Sequence, residues 1–261
     1  MILGAIAGDM IGSVYEFAAN KGMDFPLWHP LADFTDDTIL TIATAEACLS
    51  DRDFGGAYLR WARRYPHPMG DYGSMFKRWV AMGGGEPYNS YGNGSAMRVS
   101  PVAWLVPTVS DAIRMAEATA LPTHNHEDGV RGAQATVIAI MRARQGWSRE
   151  RIRQDVMEAS GYDLTRTVDQ IRPHYHFDVT CQGSVPESII CALESTDWEH
   201  AVRLAISLGG DADTMAAIAG SIAEAMYGGV PDAIAAEVWR RLPDDMRAVV
   251  KQMGDGVAVE G

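Results

Sequence analysis

Residues 207–214 read SLGGDADT, and from 215 the chain continues MAAIAGSIAEAM. Apolar residues recurring three and four apart predict a helix over 213–228. Two acids and a hydroxyl at the head of so apolar a helix call for an explanation. The same period predicts helices over 37–50, 56–65, 129–145, 199–208 and 233–242. Stops are expected at Gly146, Gly161 and Gly228, and a new start at Pro231-Asp232. Strand-like alternation is confined to HYHFDV (174–179). Near the N-terminus Gly4, Gly8 and Gly12 fall on one helical face, where a second helix can approach closely. No Ser/Gly linker or low-complexity tract divides the chain. The expectation is all-α: a single compact multi-helix domain over residues 1–261.

Composition narrows the functional classes. The chain has 261 residues, 47% apolar and 21% charged, with a formal charge of −12 from 34 acids and 22 bases. No basic face is evident, which argues against duplex nucleic acid or an anionic membrane and favours a cationic partner or bound divalent metal. Cys48, Cys181 and Cys191 show no CxxC spacing, so neither a disulfide framework nor a thiolate zinc site is expected. The opening MILGAIAGDMIGS lacks a basic flank and is interrupted by Asp9, so it reads as a buried helix rather than a signal peptide. No apolar run approaches the roughly 20 residues of a membrane span. A cytoplasmic monomer is expected.

The acids at 211–214 have a counterpart in FTDDT, where Thr35, Asp36, Asp37 and Thr38 again head a helix. Residues two apart in a regular helix diverge by roughly 200°, so Asp211 and Asp213 are expected on the turn after Gly209-Gly210, where backbone freedom lets them converge. Converging carboxylates repel unless protonated or bridged by a cation. Both clusters offer only oxygen donors, which suit magnesium, manganese or calcium, and four aspartates carry enough charge for two divalent ions. A plainer reading stays open beside this one: Thr35 is an acceptable N-cap, and acids in a first turn complement the helix dipole.

Five strings occur in an order shared with one family: GAIAGDMIGSVYEF, FTDDT, YNSYGNGSAMR, THNHEDGVRGAQA and SLGGDADTMAAIAGSIAEA. On these motifs the chain resembles the ADP-ribosylglycohydrolases, which include dinitrogenase-reductase-activating glycohydrolase and the ADP-ribosyl-arginine and ADP-ribosyl-serine hydrolases. The resemblance implies an all-α fold with a binuclear magnesium or manganese centre at helix ends. Thr35, Asp36 and Asp37 match one set of metal ligands, and Asp211, Asp213 and Thr214 the other. Glu16 matches the family's mobile acid beside the reacting ribose; it, or a metal-bridging aspartate such as Asp36 or Asp213, is the expected catalytic group. Ser90, Tyr91, Gly92, Asn93 and Gly94 match the turn lining the ribose and diphosphate cleft, with Tyr91 or another loop aromatic expected on adenine. Gly73 matches a glycine approaching the diphosphate, and His124 a histidine near the ligand. Small bacterial members usually continue Thr-His-Asn-His with Pro-Glu-Gly; here Glu127-Asp128-Gly129 follows, which leaves the local turn and the parts played by His126 and Glu127 open.

The implied activity is hydrolysis at C1″ of an ADP-ribosyl group, removed from arginine or another protein side chain. Alternatives are a free metabolite such as O-acyl-ADP-ribose, or a non-catalytic ADP-ribose-binding or structural relative. Specificity is expected in loops 17–34 and 172–186. A zinc site on His124, His126, His174 and His176 lacks a third short-range ligand. LRWARRY (59–65) reads as an amphipathic helix rather than a nucleic-acid surface, and GGG (83–85) lacks the Lys-Ser/Thr of a phosphate loop. Ser195 and Cys181 have no organised base nearby in sequence.

Overall fold

The apolar periods fold as helices close to the expected registers. The structure, a computed structural model, describes residues 1–258; residues 259–261, where the expected domain ends, lie outside it. In chain order the helices are α1 (Leu3–Gly12), α2 (Asp36–Leu49), α3 (Phe54–Arg64), α4 (Ser74–Ala81) and α5 (Gly94–Met97). Then come α6 (Val102–Leu105), α7 (Val109–Ala120), α8 (Glu127–Arg144), α9 (Arg149–Ser160) and α10 (Val168–Ile171). The last are α11 (Cys181–Glu194), α12 (Trp198–Ile206), α13 (Ala212–Tyr227), α14 (Asp232–Arg241) and α15 (Asp244–Ala258). Gly161 and Gly228 cap α9 and α13 in the left-handed conformation, with φ of 74° and 75°. Helices enclose one continuous hydrophobic core. Among the described residues no helix is long and apolar enough to cross a membrane.

The strand-like alternation at 174–179 forms no strand. Those residues are loop, and the described residues hold only two isolated bridges, Thr35 with Met69 and Gly92 with Thr180. The following segment, read as loop because of Gly183 and Pro186, is helix α11 with Pro186 inside it. Thr180 caps it by accepting from the Gly183 amide, and burial of Val185, Ile189 and Ile190 outweighs the bond that Pro186 removes.

The glycine face of α1 decides where the site is built. Gly4 lies against Gly220, Gly8 against Ala216 and Gly12 against Asp213, so α1 and α13 run antiparallel with their backbones in contact. A Cβ on Gly12 would sit 2.5 Å from the Asp213 Cα, and one on Gly8 would overlap the Ala216 carbonyl. Antiparallel packing puts the end of α1, and the chain leaving it, beside the head of α13. Gly8→Val should therefore destabilise the fold by about 3 kcal/mol or more, since neither backbone can move without opening the core. Denaturant unfolding measures this; a loss within about 0.5 kcal/mol would show that the two helices are not in contact at this point.

Candidate active site

Asp9 stands fully buried on α1, the acid that interrupts its apolar run. Its carboxylate accepts from the Thr35 amide at 3.0 Å, the Thr35 hydroxyl at 2.7 Å, the Thr38 amide at 3.0 Å and the Thr38 hydroxyl. Four donors satisfy a carboxylate that would otherwise be costly to bury. They also tie the head of α2 to α1. Thr35 meanwhile caps α2, accepting from the Asp37 amide at 3.1 Å. The capping reading is therefore true of Thr35, and it does not exclude the ligand reading: having donated to Asp9, the hydroxyl keeps one lone pair.

Because α1 holds both helix heads, the two acidic clusters meet. The Thr214 hydroxyl donates to Asp37 Oδ2 at 3.1 Å, across 177 residues of sequence. Helix α13 begins at Ala212, so Asp211 is its N-cap and Asp213 and Thr214 already lie in its first turn. The bend at Gly209, with φ of 67°, delivers Asp211 to the head of this helix. Glu16, just past α1, has a carboxylate oxygen within 4.8 Å of ligand atoms of both Asp211 and Asp213. Glu16 thus belongs to the same carboxylate group as the two aspartates. The histidine pairs contribute to no such group among the described residues.

These charges make the cluster costly unless neutralised. Burial, then the charges of Asp211 and Asp9, push Glu16 up to about 8. Burial, then neighbouring carboxylates, raise Asp36, Asp37 and Asp213 well above the ordinary range, and burial raises Asp211. Burial pushes Asp9 up to about 6 against its four hydrogen bonds. Asp37 Oδ1 is buried without any hydrogen-bond partner. An orphan carboxylate oxygen among mutually repelling acids, all of them hard oxygen donors, fits divalent cations.

The electrostatics set a pH dependence. A carboxyl whose folded pKa exceeds its free value holds its proton more tightly when folded, so stability is greatest at low pH and falls as pH rises. The window runs from the ordinary carboxylate value near 4 to the value of about 8 for Glu16. In chelator, the melting temperature should therefore fall from about pH 5 to about pH 8.5, and saturating Mg²⁺ should remove most of that fall. A chelated melting temperature that is flat or rising over this range would contradict the mutual repulsion.

The acids face a cleft of about 430 Å³. Glu16, Asp36, Asp37, Asp211, Asp213 and Thr214 line it, whereas Thr35 is buried and is not among the lining residues. Ser90, the 92–94 turn, His124 and Arg98, the only Arg or Lys among the described residues lining the cleft, line it too. The lining thus combines several carboxylates with one buried guanidinium.

Comparison with known proteins agrees with this architecture. A family model described as ADP-ribosylglycohydrolase matches residues 1–260. The chain belongs to the ADP-ribosylglycohydrolase family. It is 26% identical over 305 residues to ADP-ribosylhydrolase ARH3 of Homo sapiens, covering 87% of this chain and 84% of that one. It is 27% identical over 268 residues to ADP-ribosylarginine hydrolase Tri1 of Pseudomonas putida, covering 87% and 69%. A solved structure titled ADP-ribosylglycohydrolase-related protein complex shares the fold, with a TM-score of 0.70 at 24% identity over 98% of this chain and 97% of that one.

Several residues singled out on the ADP-ribosylglycohydrolase resemblance are placed differently from what was expected of them. Tyr91 is not among the cleft-lining residues: its side chain is 47% exposed and packs edge-on against His126, with ring centroids 5.3 Å apart. Tyr88 and Phe177 are aromatics that do line the cleft. Of the three backbone amides in the 92–94 turn, that of Gly92 is taken by Ser90 Oγ at 3.1 Å and that of Asn93 by the Val179 carbonyl at 2.8 Å. The turn closes on itself and on the Thr180 bridge, which leaves Gly94. Asn93 Nδ2 donates to Asp211 Oδ2 at 2.7 Å, so this side chain orients an acid. Gly73 lines the cleft with open space where a side chain would be. His126 caps α8 by accepting from the Asp128 amide, and Glu127 opens that helix, which fills the place where the family pattern was broken. Burial pushes the Cys181 thiol up to about 12, and Ser195 meets only the Ala192 carbonyl and Tyr227. Sequence reading passed over Asp9 and Arg98. An acid in an apolar helix, and an arginine inside the buried segment after the glycine turn, were the available signals.

Proposed function

We propose that the chain is a divalent-cation-dependent hydrolase that removes ADP-ribose from arginine side chains of proteins by cleaving the bond at C1″. The observation that carries this reading is the contact between Thr214 and Asp37, which joins the two acid–hydroxyl clusters in the lining of the cleft. Asp36, Asp37, Asp211, Asp213 and Thr214, with the remaining lone pair of Thr35, would hold two Mg²⁺ or Mn²⁺ ions. Such ions supply Lewis acidity, grip on the ribose hydroxyls and a lowered pKa for water.

The chain's own residues do the rest. The mixed lining of the cleft would orient the substrate, with ribose on the carboxylates and the diphosphate near Arg98, His124 and the Gly94 amide. Tyr88 or Phe177 offers an aromatic face to adenine. Glu16, partly exposed and adjacent to Asp211 and Asp213, would stand beside the reacting sugar carbon and move the proton. Water adds hydroxyl to C1″ as the C1″–N bond breaks, and the departing nitrogen takes the bonding pair and a proton. The site as proposed needs no residue from a second copy, and the enzyme is taken to act as a monomer.

The arginine acceptor follows the name of the Pseudomonas relative, an ADP-ribosylarginine hydrolase. Incubation with ADP-ribosylarginine peptide, Mg²⁺ and chromatographic detection should release free ADP-ribose and unmodified peptide. Release only from an O-acyl-ADP-ribose would move the activity to free metabolites. Calorimetric binding of ADP-ribose with no release from either would make the protein a non-catalytic binder.

A further inference from the structure

We propose that Arg98 acts through Thr123 to lock His124 in its Nε2–H tautomer, making the ring a fixed, uncharged hydrogen-bond donor to a substrate oxygen beside Gly92–Gly94. The donor role rests on the cleft taking an ADP-ribosyl ligand; the tautomer does not. Arg98 is fully buried at the end of α5, its guanidinium 4.0 Å from the face of Tyr58, and one Nη donates to both the Thr119 carbonyl and Thr123 Oγ1, at 3.1 and 2.8 Å. Thr123 Oγ1 in turn lies 2.8 Å from His124 Nδ1.

The direction of that second bond follows from donor counting. A guanidinium can only donate, so the Thr123 oxygen accepts from Arg98 and must place its own proton elsewhere. The acceptors in reach are His124 Nδ1, at 2.8 Å, and the Tyr88 phenol oxygen, and the imidazole nitrogen is the stronger of the two. A proton on Nδ1 would instead aim two donors at one oxygen and leave the hydroxyl hydrogen only the weaker phenol acceptor. Nδ1 is therefore the bare nitrogen, and the ring proton is on Nε2.

Nε2 faces the glycine turn. It lies 3.1 Å from where a Cβ on Gly94 would be and 3.6 Å from where one on Gly92 would be, so the missing side chains leave room for a ligand atom. The charged or titratable groups against the ring are Arg98 and the Tyr88 phenol, whose ring centroid is 6.1 Å away. Burial, then Arg98, hold His124 well below its ordinary pKa, and burial pushes Tyr88 up to about 12, so neither changes charge near neutrality. Arg98 and Thr123 are thus positioning residues, and His124 is the group that touches substrate.

The test is nitrogen NMR of the ¹⁵N-histidine-labelled full chain, combined with calorimetry of ADP-ribose. His124 should show a bare Nδ1 and a protonated Nε2 with no titration from about pH 5.5 to about pH 8. Thr123→Val, nearly the same shape without the hydroxyl, should weaken ADP-ribose binding about tenfold, and Thr123→Ser should restore it. A protonated Nδ1 in the unaltered protein overturns the relay, and so does wild-type affinity in Thr123→Val. Failure of the unaltered protein to bind ADP-ribose would instead overturn the functional reading, while the NMR result still decides the tautomer.

Discussion

Replacing Asp211 by alanine should lower kcat by about 10³-fold or more while leaving the helical circular dichroism unchanged. A group worth several kcal/mol of charge stabilisation in the transition state accounts for that factor, at about 1.4 kcal/mol per tenfold. The fold should tolerate the change, because Asp211 is the N-cap of α13 yet makes no side-chain capping bond. Its tie is to Asn93, whose amide keeps Ser184 as a second partner at 3.2 Å. Removing one of several repelling buried carboxylates should even raise the melting temperature in chelator. Unfolding would make the residue structural, and a kcat within about tenfold of the parent would place the chemistry elsewhere.

Exhaustive chelation should reduce release of ADP-ribose to the uncatalysed background, and Mg²⁺ or Mn²⁺ should restore it where Na⁺ and K⁺ do not. The carboxylates of Glu16, Asp211 and Asp213 crowd within 4.8 Å, and Asp37 Oδ1 is buried without a partner. That set is poorly stable when empty and strongly attractive to a small divalent cation. The same cations should protect against heat, by about 2.7 kcal/mol at a hundredfold excess over the dissociation constant. Activity that survives chelation unchanged would defeat the metal mechanism at once. Thermal protection without restored activity would leave a structural ion and no catalytic one.

Much of the site was readable from local pattern, and what was missed depended on partners brought in by the fold. FTDDT and GGDADT announced themselves because an apolar helix rarely begins with clustered acids, and both clusters stand where the chain implied. Helix α11 was missed because Gly183 and Pro186 look like loop, whereas the Thr180 cap and a buried face settle the matter in three dimensions. The resemblance implies Tyr91 or another loop aromatic on adenine; in the fold Tyr91 packs edge-on against His126, while Tyr88 and Phe177 line the cleft. The Asn93 amide in the 92–94 turn is taken by the Val179 carbonyl, which comes from a distant segment that local pattern does not reveal.

By itself, the sequence determined the all-helical class, the registers of the strongly periodic helices and the identity of the oxygen donors, because periodicity, capping and side-chain chemistry act over a few residues. Tertiary structure alone decided that the donors share one place. Bare glycine faces let α1 and α13 touch in antiparallel fashion, and a buried Asp9 pins the head of α2 to them. Convergence of like charges opposes folding, and it persists here because backbone contacts and hydrogen bonds elsewhere in the chain enforce it.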